Sequence, residues 1–234
     1  MNAETFRPID PSESFSLNEA YRTNGFVVVP NFFKPEFAEK SYNWYHHDMP
    51  DDWWVLTTVP TKQRMVRLNP ENESLAEEVW NEAGEAVNRD GLSYRFFRTD
   101  EHTNVCPCYV CQMTKFFHSE TMIGRINDIT NENITNPNAM FASKYTDGCF
   151  LTSHTDMGHG KVAFVYNMTK NWLPYWGGML HFLEPNCIQV RRVVYPEFNS
   201  MVLFHIPEKG TPHFVSCVAD GVKEKRLAFS GWFR

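Results

Sequence analysis

Residues 153–157 read Ser-His154-Thr-Asp156-Met, and far along the chain His213 stands in Thr-Pro-His213-Phe-Val. In an extended strand, residues i and i+2 share a face, so His154 and Asp156 would aim an imidazole and a carboxylate at one point. A third ligand must come from another strand, and His213 offers it. Two histidines and a carboxylate on one side of a metal leave its opposite side open. That arrangement suits non-haem iron(II), which needs vacant positions for a cosubstrate and dioxygen. On its own an H-x-D string carries little weight, because a lone histidine is more often a hydrogen-bonded structural residue than a ligand. His159, His181 and His205 stand nearby as rival ligands.

Arg226 gives the string a context, in Lys-Arg226-Leu-Ala-Phe-Ser-Gly-Trp-Phe. A dicarboxylate that chelates a metal at one end needs a cation at the other. Arginine fits that need: its planar fork binds a carboxylate bidentately and keeps its charge when buried. The plainer reading of Arg226 is a surface residue after the charged run Lys223-Glu224-Lys225.

Several further pieces occur in a fixed order. Lys144-Tyr145-Thr-Asp-Gly148 precedes the H-x-D string; Ala163-Phe-Val-Tyr166-Asn, Trp172 and Gly177-Gly178-Met-Leu180 follow it; Arg226 precedes Ser230-Gly231-Trp232-Phe233. With this ordered set, the chain from about residue 142 to its end resembles the prolyl-hydroxylase-like branch of the iron(II)/2-oxoglutarate dioxygenases. It is similar in particular to the catalytic domain of the ribosomal prolyl hydroxylases. The resemblance implies that His154, Asp156 and His213 bind iron(II), that Arg226 binds the distal carboxylate of 2-oxoglutarate, and that Tyr145 hydrogen-bonds the same carboxylate. It implies hydroxylation of a C–H bond of a prolyl residue in a peptide or protein, with release of succinate and carbon dioxide, dioxygen as co-reactant and possible stimulation by ascorbate. A free amino acid or other small molecule is the alternative substrate. A catalytically silent jelly-roll binding protein and a cupin-type isomerase or hydrolase are the alternatives of another class. Trp172 and Trp176, with Trp53 and Trp54, are candidates for the mouth of the site, against ordinary packing roles.

This chain departs from the related pattern at two positions. Ala228 stands where serine is frequent two residues after the arginine, and Leu151 where prolyl hydroxylases often carry a tyrosine. Halogenating relatives lack the carboxylate ligand, so Asp156 favours hydroxylation. Nucleic-acid demethylases usually carry a second arginine where this chain has Trp232.

The elements that must position these residues are legible in part. From about Ala139, short apolar runs alternate with turn residues: FASKY, GKVAFVYNM, GGMLHFL, SMVLFHI, HFVSCV and RLAFSGWF. This texture predicts a mainly β fold with flanking helices, a double-stranded β-helix (jelly roll, cupin-like). Residues 139–234 would form the catalytic core and 1–138 a supporting region of one oxygenase domain. Within that region, 26–29 predicts a strand, about 35–47 a helix, and 94–98 a strand. Leu75, Val79, Ala83 and Val87 predict one apolar stripe on a helix stopped by Gly91. A further helix is expected over 114–127.

Composition narrows the class. The chain has 234 residues, 42% of them hydrophobic, and a net charge of -6, which fits a globular protein rather than a nucleic-acid binder. The start carries no signal-peptide pattern and no apolar run is long enough to span a bilayer, so a cytoplasmic location with reduced thiols is expected. Cys106, Cys108 and Cys111, with His102 and His118 nearby, are candidates for zinc, but their spacing fits no standard zinc knuckle. The sequence carries no signal for an oligomeric state.

Overall fold

The computed structural model describes residues 5–59, 62–89, 91–100 and 107–234. Helix α1 (Pro11–Asn24) has well-defined ends. The Asp10 carboxylate accepts from the backbone N–H groups of Ser12 and Glu13, Pro11 sits in the first turn, and Gly25 closes the helix at φ 74. Strand β1 (Phe26–Val29) follows as expected. Helix α2 (Pro35–Asn43) runs on into a π-helical turn at Trp44–Asp48, so the helix expected over 35–47 is present but widens at its end. Strands β2 (Trp54–Val59) and β3 (Arg64–Arg67) pair antiparallel; neither was expected from the sequence.

Helix α3 (Glu73–Glu85) buries Ala76, Val79 and Ala83. The stripe read at four-residue spacing is corrected at both ends, because Leu75 is 43% and Val87 48% exposed. A step of four residues overshoots one helical turn by about 40°, so residues at such spacing drift around the axis and only the middle pair faces the core. Strand β4 (Tyr94–Thr99) matches its expectation. The single helix expected over 114–127 is two, α4 (Tyr109–Phe117) and α5 (Glu120–Thr130). Ser119 makes the break, its hydroxyl accepting from the Met122 N–H as an N-cap.

The second half supplies β5 (Pro137–Tyr145), β6 (Phe150–His154), β7 (Val162–Asn167), β8 (Leu180–Leu183), β9 (Val190–Val194), β10 (Ser200–His205), β11 (His213–Val215) and β12 (Arg226–Phe233). Their pairing is antiparallel, in the order β1-β10-β7-β12-β5 on one side and β6-β11-β8-β9 on the other. Strand β4 links the two sides, pairing Phe97 with Lys144 of β5 and Tyr94 with Leu151 of β6. From β5 onward the chain alternates between the two sides, apart from the paired neighbours β8 and β9, which is the winding of a jelly roll.

Side-chain parity on β12 shows how this arrangement builds a site. Leu227, Phe229 and Phe233 point outward into a core shared with Tyr109, Phe116 and Phe117 of α4 and Met122 and Ile126 of α5. Arg226, Ser230 and Trp232 point the other way and line a cavity between the two sides of the roll. Burying each of these large apolar side chains contributes roughly 1.5–3 kcal/mol. The helices therefore hold one sheet rigid from outside while its inner face is left for polar residues. Among the described residues no helix is long and apolar enough to cross a membrane.

Candidate metal centre and its cavity

His154 closes β6 and His213 opens β11, and the two are direct partners in the antiparallel ladder. Asp156 lies just past the end of β6, so the strand-face argument for H-x-D applies to the histidine and the carboxylate arrives on the connecting segment. The result is a tight cluster. His154 Nε2 is 3.2 Å from Asp156 Oδ1, and His213 Nε2 is 3.6 Å from Asp156 Oδ2. The imidazole centroids are 4.2 Å apart. One ligand atom from each of the three residues lies within 4.8 Å of the others, and no other group of this kind occurs among the described residues.

Each imidazole is oriented by a backbone carbonyl two residues upstream. His154 Nδ1 is 3.0 Å from the Thr152 oxygen, and His213 Nδ1 is 2.7 Å from the Thr211 oxygen. A carbonyl only accepts, so both Nδ1 atoms carry a proton and both Nε2 atoms point at Asp156. Burial disfavours the Asp156 charge, but the hydrogen bond with His154 and the positive charge that His213 and His154 carry when protonated outweigh it, holding the carboxyl at about 2. Burial pushes the His213 imidazole down to about 4, so it is neutral near neutrality and free to act as a ligand.

The cavity beside this cluster has a volume of about 90 Å³, and its lining includes His154, Asp156, His213, Tyr145, Ser143 and Arg226. Arg226 is 3% exposed, sits across the ladder from Tyr145, and forms no salt bridge among the described residues. Its Nε is buried without a partner, and its guanidinium carbon lies 5.0 Å from the centre of the Tyr145 ring. Burial lowers its pKa. A buried cation with an unsatisfied donor is costly unless an anion completes it. Tyr145 is itself buried and stacks on Phe96, with centroids 5.0 Å apart.

Trp172 and Trp176 do not line this cavity. Trp172 is 2% exposed, its indole N–H donates to the Gly177 carbonyl, and Trp176 packs edge-on against it. Trp54 is buried and stands over Lys144, while Trp53 packs on Trp44. The glycine pair explains why Trp172 matters all the same. At Gly178, φ is +65°, and an added Cβ would meet Trp172 Cζ2 at 3.2 Å and Arg226 Cδ at 3.3 Å. At Gly177 it would strike the Cys217 carbonyl oxygen at 2.0 Å. Gly178→Ala is therefore expected to lower stability by about 1–3 kcal/mol, through backbone strain and displacement of Arg226. Denaturant unfolding checks the loss, and a 2-oxoglutarate titration checks the displacement.

None of the rival histidines joins the cluster. His159 stacks on Trp232 at 4.4 Å, His181 stacks on Phe214, and His205 pairs with Glu132 at 2.9 Å. Cys106 and His102 of the zinc candidate lie outside the described residues. Cys111 is buried in α4, Cys108 precedes it, and the His118 ring lies 2.9 Å from the Thr114 carbonyl. Sequence reading missed Ser143, Ser230 and Trp232 as cavity residues, although counting by twos back from Tyr145 and forward from Arg226 finds all three.

Residues 140–234 match the model of the 2OG-Fe(II) oxygenase superfamily. No curated protein matches the chain. Among solved structures, a prolyl hydroxylase from Trichoplax adhaerens, in complex with a hypoxia inducible factor oxygen degradation domain peptide, is 19% identical with a TM-score of 0.59, over 94% of this chain and 88% of that one. An oxidoreductase of the 2OG-Fe(II) oxygenase family from Burkholderia pseudomallei is 11% identical with a TM-score of 0.56, over 97% and 92% of the two chains. A non-heme alpha-ketoglutarate-dependent epimerase of nogalamycin biosynthesis is 12% identical with a TM-score of 0.56, over 94% and 80%. These likenesses show a shared fold. The match to the 2OG-Fe(II) oxygenase superfamily spans the jelly-roll strands, about two fifths of the chain, and the members of that superfamily are dioxygenases. Iron(II), 2-oxoglutarate and dioxygen are the cofactors of that class. The residues present fit them: a nitrogen-nitrogen-carboxylate set suits iron(II), and a buried guanidinium with an unsatisfied Nε and no salt bridge among the described residues, in the same cavity, suits a dicarboxylate.

Proposed function

We propose that this protein hydroxylates a C–H bond of a prolyl residue in a peptide or protein. His154, Asp156 and His213 hold iron(II), and Arg226 and Tyr145 hold the distal carboxylate of 2-oxoglutarate. When bound, the metal and cosubstrate supply, with dioxygen, the oxidation that converts an unactivated C–H to C–OH, 2-oxoglutarate leaving as succinate and carbon dioxide. The chain's own residues orient and exclude. Thr152 and Thr211 fix the two imidazoles through their carbonyls. Arg226, fixed beside Tyr145, sets how far the cosubstrate reaches toward the metal. Phe96, Phe141, Leu151 and Val215 line the walls and keep water from the reacting centre.

The observation that carries this reading is Arg226, a buried cation with no anion among the described residues, in the cavity that also holds the His-Asp-His cluster. The prolyl substrate rests on the ordered residues that resemble the ribosomal prolyl hydroxylases and on the fold shared with a prolyl hydroxylase that holds a peptide. We take residues 139–234 as the catalytic core and 1–138 as its support; of the cavity's lining, Phe96 alone precedes the core. The fold shared with an epimerase gives the second reading, in which a stereocentre of a small molecule is inverted with no oxygen added.

The test incubates iron-loaded protein, 2-oxoglutarate and ascorbate with peptide and amino-acid libraries, and follows succinate and product mass. A gain of about 16 Da on proline-containing peptides, one oxygen atom as expected of this cofactor class, that is absent with His154→Ala, supports the proposal. The same gain confined to free amino acids moves the substrate to small molecules. Inversion of a stereocentre with no gain of oxygen favours the second reading.

A further inference from the structure

A carboxylate offers about four lone-pair sites, and Arg226 with Tyr145 leaves part of that capacity unfilled. The register of the surrounding strands shows what else can reach it. Across the β5–β12 ladder, Tyr145 faces Arg226 and Ser143 faces Ala228. Ser143 and Tyr145 share the inner face of β5, and both line the cavity with Arg226. On the far side of Ala228, in β7, its partner is Asn167, whose Nδ2 donates to Ser200 Oγ at 3.0 Å. One of its two amide N–H donors is so used, and Asn167 does not line the cavity.

Ser143 is different. It is 4% exposed, and its hydroxyl makes one hydrogen bond among the described residues, to the Ala228 carbonyl at 3.5 Å. This is the outer limit of such a bond and far from the usual 2.7–2.8 Å of a hydroxyl donor. A buried hydroxyl so weakly held, two residues along the same strand face from the partner of a guanidinium with no salt bridge among the described residues, is poised for an incoming acceptor. Ala228, directly opposite, contributes only a methyl group.

We propose that the Ser143 hydroxyl donates a hydrogen bond to the distal carboxylate of 2-oxoglutarate, beside Arg226 and Tyr145, making up for the hydroxyl that position 228 does not supply. This rests on the cosubstrate reading above. Ser143 is a binding residue for the cosubstrate and takes no part in positioning the metal.

The test is a direct titration of anaerobic, manganese(II)-loaded protein, followed by calorimetry, with 2-oxoglutarate and with pyruvate as probes. Pyruvate keeps the keto-acid end and lacks the distal carboxylate. Ser143→Ala is expected to weaken 2-oxoglutarate about tenfold, the scale of one hydrogen bond to a charged group, and to leave pyruvate and manganese(II) affinity unchanged. The double variant Ser143→Ala/Ala228→Ser moves the hydroxyl across the ladder and is expected to restore binding to within about threefold, since the new oxygen lies one strand away on the same inner face. Thermal midpoints of both variants check that the fold is intact. Arg226→Met is the control that separates the two levels of the argument. If it weakens 2-oxoglutarate while Ser143→Ala does not, the Ser143 assignment is overturned and the cosubstrate reading stands. If neither variant changes 2-oxoglutarate affinity, both fall. Equal loss of pyruvate and 2-oxoglutarate in Ser143→Ala also overturns the assignment, because it would reveal a general distortion of the cavity.

Discussion

His213→Ala is expected to remove detectable 2-oxoglutarate turnover and to cut iron(II) affinity by more than about 100-fold, since even the partners behind a metal ligand are worth 10- to 100-fold each. The reason is geometric. His213 Nε2 and His154 Nε2 converge on the two oxygens of Asp156 from paired positions on β11 and β6, so no neighbouring side chain can move into the vacated place. His159, His181 and His205 are tied to Trp232, Phe214 and Glu132. The fold should survive. His213 packs against Phe204 with ring centroids 4.8 Å apart, and losing that buried ring costs on the order of 2–3 kcal/mol as a cavity, well short of unfolding a typical domain. Iron titration followed by circular dichroism separates the two effects. Wild-type metal affinity in the variant would show that His213 is a structural histidine and that the cluster is not the metal centre.

The legible parts of this architecture were those with a period of two. The strands of the second half announce themselves through apolar runs broken by turn residues, and parity along β12 places Arg226, Ser230 and Trp232 on one face. The glycine pair was legible as a motif, while its cause was not. Gly177 and Gly178 are required by the Cys217 carbonyl, Trp172 and Arg226, all distant in sequence. Helix α1 went unread because it buries little, with Tyr21 its one buried residue; its capping signals, Asp10-Pro11 and Gly25, stand without an apolar stripe between them. Strand β9 leaves four of its five residues exposed, so it has no pattern to read. The carbonyls of Thr152 and Thr211 were invisible for another reason. Backbone groups are the same at every position, and only the fold selects which of them meets an imidazole.

Arg226 is where sequence was least able to tell a site from a surface, since it follows Lys-Glu-Lys and the structure buries it to 3% exposure. That burial makes a two-signed prediction. In the absence of cosubstrate, Arg226→Met removes a charge held away from water without an anionic partner, and keeps most of the apolar volume of the stem. The metal-free, cosubstrate-free protein should therefore gain stability, by about 1–3 kcal/mol, the typical cost of an uncompensated buried polar group in proteins. The same change should weaken 2-oxoglutarate by on the order of 100-fold or more, because removing one member of a buried charge pair costs roughly 2–5 kcal/mol. Arg226→Lys should fall between, since it keeps the charge and loses the planar fork. Urea unfolding of the apo protein reads the first effect and calorimetric titration the second. A structural arginine predicts the opposite sign in urea, with loss of stability and no change in 2-oxoglutarate binding, so the pair of measurements decides between a residue that serves the fold and one that strains it for the sake of a ligand.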